Sequence, residues 1–358
     1  MLKGLFPTSN ACLSALPSCL YSKDSIHLEN ISAIPNLEDG LINTYVSSEE
    51  IQSMASPVLK KFFSEVHYNR MNQLCKFIDY YHELNRQNFP KVTPLEALEI
   101  FTVDLQSTMK TTKGGSCYEF IEYLTEKLPN FLHSNLIPAS VPRWSPKYCH
   151  KLSHMAAVIV YNNSKNLGDT GFILLDPSFE LDEPITVPFN GTSKPITSMG
   201  GYTFVFSHHG DTILGKIRDI DETGEIKEAI CMTYFLKRIT NFVDIAIKPL
   251  IACTRNISLI TYSDCFEKIS DLRIKLDKEI ITWGVGMEEK PPVEFDKFLS
   301  KKFQFDESFS DNPFLDINHV NKSIEKIISN KELLKNLYSE YVDFLKKNPR
   351  SEEFFMDI

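Results

Sequence analysis

The sequence predicts an α+β protein: helices first, then a sheet, then a mixed segment. Three observations predict it. Apolar residues recur at helical spacing between about residues 47 and 127, strand-like runs separated by turn signals fill residues 155–236, and helical spacing returns over 318–347. Helices and strands are grouped rather than alternating, which argues against a doubly wound parallel sheet.

The elements follow in order. Residues 1–40, rich in Ser, Pro and Asn, read as a partly ordered arm. Ser47 and Ser48 offer a cap for a short helix, and Leu59, Phe62, Phe63, Val66, Met71, Leu74, Phe77 and Ile78 form one stripe that predicts a helix over 58–81. Thr93-Pro94-Leu95-Glu96 combines an N-cap with proline in the first turn and opens a helix over 94–105. A further helix starts at Cys117, runs to about Lys127 and is stopped by Pro129. The run 155–161 (MAAVIVY) reads as a buried strand, 162–169 as a hairpin loop and 171–175 as the return strand. Further strands are expected at 185–189, 201–207, 212–216 and 230–236. The first of these can only be an edge strand, because Pro184 precedes it and Pro188 interrupts it. Residues 246–290 fit no single period. In the tail, Ser329 and Glu332 form a capping box ahead of a stripe of Leu333, Leu334, Leu337, Tyr341, Phe344 and Leu345.

Composition narrows the function classes. The chain of 358 residues is 42% apolar and 24% charged, ordinary values for a globular protein. A net charge of −9, with no basic run interleaved with aromatics, argues against nucleic acid as the main partner. No apolar stretch has the roughly 18–20 residues a membrane span needs; the run 242–260 is broken by Asp244, Lys248, Pro249, Arg255 and Asn256. The eight cysteines (Cys12, Cys19, Cys75, Cys117, Cys149, Cys231, Cys253 and Cys265) form no C-x-x-C pair, so no metal site is expected. The first twenty residues hold Gly4, Pro7 and Pro17 and no sustained apolar core, unlike a secretory signal. A cytoplasmic protein with free, mostly buried thiols is the expectation.

One segment carries the chemistry. In Lys113-Gly114-Gly115-Ser116-Cys117-Tyr118-Glu119-Phe120 two glycines permit a sharp turn, and Ile121, Leu124 and Leu128 then repeat at helical spacing. Cys117 falls in the first helical turn, where unpaired N–H groups and the positive dipole end favour a thiolate. A nucleophilic thiolate needs an imidazole to shuttle its proton and an acceptor to orient that imidazole. Of nine histidines, His154 stands directly before the strand 155–161. His150 lies in an approach loop with Pro142 and Pro146, and His208-His209 precede Gly210 as in a solvated turn. Asp176 ends the strand 171–175; if the two strands pair, residue 154 lies close to residue 176. An aspartate after four apolar residues is costly without a hydrogen-bond partner. Glu180 and Asp182 follow in a more polar segment and rank lower. The bland alternatives are a buried cysteine beside a cap, a structural histidine and a turn aspartate before Pro177. The backbone N–H of Cys117 is the natural oxyanion donor, with Gln106 a side-chain candidate.

This pattern resembles that of the arylamine N-acetyltransferases, within the wider group of transglutaminase-like thiol enzymes. The family signature R-G-G-x-C-x-E-x-N precedes a histidine before a strand and an aspartate in a D-x-G-F-G-like turn. Gly114, Gly115, Cys117, Glu119, His154, Asp176 and Phe179 match, within residues 85–180. Lys113 stands at the family's Arg, Ile121 at its Asn, and Pro177-Ser178 and Glu180 where a small residue and two glycines are usual. The resemblance implies that Cys117 takes an acetyl or other acyl group from acyl-CoA as a thioester, which an amine then attacks in a ping-pong cycle. His154 would pair with the thiolate and Asp176 would hold His154. Acetyl-CoA is implied as co-substrate, with no permanently bound cofactor. The implied partners are a small-molecule amine and acyl-CoA, not nucleic acid or membrane, with room for a protein partner.

With the order of elements, the resemblance also implies a layout. The arm 1–40 precedes an N-terminal helical subdomain carrying the nucleophile (41–130). An antiparallel β-barrel subdomain carrying His154 and Asp176 follows (131–240), and then a C-terminal mixed α/β lid (241–358). Leu175-Asp176-Pro177 fits the transglutaminase-like enzymes at least as well. A cysteine hydrolase or amide-bond transferase without CoA therefore stays open, as does an inactive binding module of the same fold.

Overall fold

A computed structural model describes residues 41, 43–87, 91–102, 114–140, 154–162, 169–189, 191–199, 201–220, 226–236, 248–253, 255–262, 268–286, 288–301, 303–310 and 316–347. They form an α+β fold of two sheets with helices packed against both. The arm expected over 1–40 lies outside the described residues.

A two-residue strand, β1 (Asn43–Thr44), leads into α1 (Ser48–Glu65), which starts at a capping box of Ser47 and Glu50. The stripe over 58–81 is not one helix. Val66 ends α1, and β2 (His67–Asn69) intervenes before α2 (Met71–Gln87). Long-range pairing takes these residues out of the helix: β2 lies parallel to β3 (Gly114–Gly115) and antiparallel to β12 (Asn256–Tyr262). A second capping box, Thr93 with Glu96, starts α3 (Pro94–Ile100), which is shorter than the expected 94–105. The helix of the glycine-cysteine segment, α4 (Cys117–Lys127), keeps its expected bounds.

The first sheet contains β4 (Asn135–Ser140), β5 (His154–Asn162), β6 (Thr170–Leu175), β7 (Ile185–Pro188), β8 (Ile196–Thr197), β9 (Thr203–His209), β10 (Thr212–Ile220) and β11 (Ile226–Phe235). Their order is β7-β6-β5-β4-β11-β10-β9-β8, all antiparallel, with β1 added to β5 in parallel. Because β7 also approaches β9, the sheet curls into a nearly closed barrel. β7 is an edge strand, as its prolines require. In the β5–β6 hairpin the register runs from Asn162 opposite Thr170 to Ala157 opposite Leu175. Ala156, Val158 and Val160 enter the barrel core with Phe172 and Leu174. Their neighbours Met155, Ala157, Ile159, Ile173 and Leu175 enter a second core with α1 and α4. Burial on both faces explains why 155–161 is apolar without alternation.

The region 246–290, which fits no period, contains α5 (Lys248–Cys253), β12, β13 (Lys268–Lys275) and β14 (Ile280–Val285). With β15 (Glu288–Glu294) these strands build a meander that β2 and β3 complete, in the order β15-β14-β13-β12-β2-β3. Two short helices, α6 (Phe295–Leu299) and α7 (Glu307–Ser310), precede α8 (Ile317–Ser329) and α9 (Lys331–Lys347). The expected box of Ser329 and Glu332 does not form. Ser329 ends α8, and Asn330 fills the junction, its Nδ2 donating to the Lys326 carbonyl at 2.8 Å. The tail docks on the first helices: Lys326 meets Asp79 at 2.6 Å, and the Leu95 N–H donates to Glu340 at 2.9 Å. Among the described residues no helix is long and apolar enough to cross a membrane.

Candidate active site

Close backbone packing places Cys117. A Cβ on Gly114 would lie 2.7 Å from His67 Nε2 and 2.9 Å from the His67 carbonyl oxygen, so glycine is required for β3 to lie against β2. The chain then turns at Ser116 into α4, whose first residue is Cys117. Glu119, buried one turn on, reaches back to this turn. The Ser116 N–H donates to its Oε2 at 2.8 Å, the Ser116 hydroxyl donates to the same oxygen, and Gln73 Nε2 donates to its Oε1 at 2.5 Å. Glu119 is thus the support of the turn that carries Cys117, with Gln73 and Ser116 as partners that sequence reasoning did not single out.

His154 opens β5 in phase with Ala156 and Val158, so its ring joins the barrel side of the strand and is fully buried. Asp176 follows β6 and caps a 3-10 turn, Pro177–Phe179, its Oδ1 accepting from the Ser178 N–H at 3.2 Å. Its Oδ2 receives His154 Nε2 at 2.7 Å and the Tyr234 hydroxyl at 2.7 Å. Cys117 lies near enough to the same imidazole to help hold its proton. Cys117, His154 and Asp176 are therefore brought together. Phe179 stands edge-on to the ring at 5.0 Å.

Burial alone would push the His154 pKa down. The charge and hydrogen bond of Asp176, followed by the contributions of Cys117, outweigh it and raise the value from 6.5 to about 10. The protonated form of the ring is favoured, beside a sulfur and bonded to a carboxylate. Such a row can activate a thiol for attack on a carbonyl and return a proton to a leaving group.

Other expectations are corrected. His208 is not in a solvated turn. It is buried, its Nε2 lies 2.6 Å from the Gly210 carbonyl oxygen, and the rings of Phe172 and Phe189 lie at 5.1 and 5.5 Å. Glu180 is buried at a left-handed φ of 59°, where glycine is usual. Gln106, Lys113 and His150 lie outside the described residues. Cys75 and Cys231 are free thiols like Cys117; burial pushes the Cys75 pKa up to about 11, and Cys231 Sγ donates to the Gly215 carbonyl at 3.3 Å. Tyr234 was missed. Its signal is a tyrosine at an inward strand position, which needs a partner for its hydroxyl.

Among the described residues, no group of three or more His, Cys, Asp or Glu is arranged to hold a metal ion. The chain matches no protein-family model, and no curated protein sequence matches it.

Proposed function

We propose that the protein is a cysteine-dependent acyltransferase resembling the arylamine N-acetyltransferases, moving an acetyl or other acyl group from acyl-CoA to a small-molecule amine. The observation that carries this reading is the buried His154–Asp176 hydrogen bond beside Cys117, whose sulfur helps hold the proton of the same imidazole. In the first half-reaction the Cys117 sulfur attacks the acyl carbonyl carbon and forms a C–S bond. The tetrahedral oxyanion then collapses, the bond to the donor's sulfur breaks, and the His154 imidazolium gives its proton to the leaving thiolate. In the second, the amine nitrogen attacks the thioester and its proton passes to His154. The C–N bond forms, the C–S bond breaks, and the Cys117 thiolate returns beside the imidazolium.

The layout fits this reading: a helical part with the nucleophile (41–130), a barrel part with His154 and Asp176 (131–240) and a C-terminal part (241–358) acting as a lid. A reducing cytoplasm suits the free thiols. Incubation with acetyl-CoA followed by intact mass measurement tests it. One added acetyl group, absent in Cys117→Ser, is expected; a protein that gains none is not an acetyl-CoA enzyme.

A second reading is a transglutaminase-like enzyme acting on amide bonds without CoA. The observation favouring it is the Asp176–Glu180 turn. Pro177, the buried Ser178 and the buried Glu180 occupy positions where the acetyltransferase pattern has small residues beside the donor cleft. Release of ammonia from glutamine peptides without an acetyl adduct supports it. A protein inert to both substrates, yet holding a stable partner, is a binding module.

A further inference from the structure

Tyr118 follows Cys117 in the first turn of α4 and plays no part in the triad. It is fully buried, and its hydroxyl has no hydrogen-bond partner. Leaving a buried hydroxyl unpaired costs about 1–3 kcal/mol, and phenylalanine would occupy the same volume without that penalty. The contrast with Tyr234 is direct, since that equally buried phenol is paired to Asp176.

The position of Tyr118 gives its unpaired hydroxyl a use. Long helical side chains lean toward the helix N-terminus. The ionisable groups acting on it are Cys117 foremost, followed by Arg70, Tyr68 and Glu119. Tyr68 belongs to β2, the neighbour of β3, while His154 comes from the barrel. The first N–H groups of a helix have no acceptor within it. The Ser116 hydroxyl donates to Glu119.

Resting on the acyl-transfer reading above, we infer that the Tyr118 hydroxyl is a substrate-contacting donor of this site: it hydrogen-bonds the acyl oxygen of the incoming carbonyl compound and stabilises the oxyanion of the tetrahedral intermediate. The hydroxyl is unpaired in the free protein because its partner arrives with the substrate. A site built this way discriminates against reagents without an acyl oxygen.

Two probes separate this role from the triad. p-Nitrophenyl acetate acylates a cysteine through a tetrahedral oxyanion and needs no CoA; iodoacetamide alkylates the same sulfur at a saturated carbon and forms none. In Tyr118→Phe the burst of p-nitrophenolate is expected to slow by about 10²-fold. Alkylation of Cys117 should keep its wild-type rate, and the thermal unfolding midpoint should hold or rise. Acylation by the variant at the wild-type rate overturns the inference. So does a joint loss of acylation, alkylation and thermal stability, which would make Tyr118 a packing residue. A wild-type protein that alkylates rapidly at Cys117 but never acylates also overturns it while leaving the triad intact. Slow alkylation of wild-type Cys117 strikes the triad itself, and the inference falls with it.

Discussion

Tyr234 donates its hydroxyl to the same Asp176 oxygen that receives the His154 ring, both at 2.7 Å, although 58 positions separate Tyr234 from Asp176. The other carboxylate oxygen takes the Ser178 N–H at 3.2 Å. Three donors from β5, β11 and the 3-10 turn fix the plane of the carboxylate, and through it the imidazole. Tyr234→Phe removes one donor from a buried charged group and is expected to cost about 1.5–3 kcal/mol, measured by urea denaturation. Acylation of Cys117 should slow by about tenfold as the ring loses its fixed orientation. An unchanged midpoint together with an unchanged rate would remove Tyr234 from the site.

The elevated His154 pKa makes a prediction about pH. The ring holds its proton up to about 10 in the folded protein, against 6.5 for an ordinary histidine. Its contribution to stability is therefore complete below about pH 6.5 and is lost as pH rises through about 10. The loss is at most about 1.4 kcal/mol per pH unit. Urea titrations across that window should show wild-type stability falling with pH and a shallower fall in His154→Gln. Parallel slopes would mean that the ring does not hold its proton as described.

The grouping of Cys117, His154 and Asp176 was legible because each residue sits at a local landmark. Gly114-Gly115 announces a turn before a helical stripe, His154 stands at the start of an unbroken apolar run, and Asp176 ends the return strand of a hairpin whose pairing needs no long-range guess. What was not legible depends on distant partners. β2 is three residues long and lies within a stripe that continues at helical spacing through Val66 and Met71; only its pairing with Gly114 and with Ile260 makes it a strand. β15 reads EEKPPVE, an edge strand with one buried side chain, too polar to reveal itself by period. His208 looks like a turn residue because Gly210 follows it, but the rings that bury it, Phe172 and Phe189, come from elsewhere in the chain.

Gly114→Ala tests the close approach of β3 to β2. The added methyl group would meet the His67 ring at 2.7 Å and the His67 carbonyl at 2.9 Å. The ring can turn aside, but the backbone oxygen cannot without separating the two strands. A loss of about 1–3 kcal/mol is expected, with slower alkylation of Cys117 because the start of α4 moves with β3. Thermal unfolding and timed iodoacetamide labelling measure both. Full stability and labelling would show that β3 does not position Cys117.

Glu119 separates charge from hydrogen bonding at the turn. Glu119→Ala removes the acceptor of the Ser116 N–H and hydroxyl and strands the Gln73 amide, all in a buried setting. The cap and the unpaired donors together predict a loss of about 2–4 kcal/mol. Glu119→Gln keeps one carbonyl oxygen for Ser116 and presents an NH₂ group to Gln73. Gln73 Oε1 has no partner in the native protein; a rotation of that amide turns the unused oxygen toward the new donor, and the network closes without a charge. The glutamine variant should therefore stay within about 1 kcal/mol of wild type and label at Cys117 at a similar rate. Equal losses in the two variants, read by chemical denaturation, would mean that the negative charge of Glu119, rather than its hydrogen bonds, holds the turn.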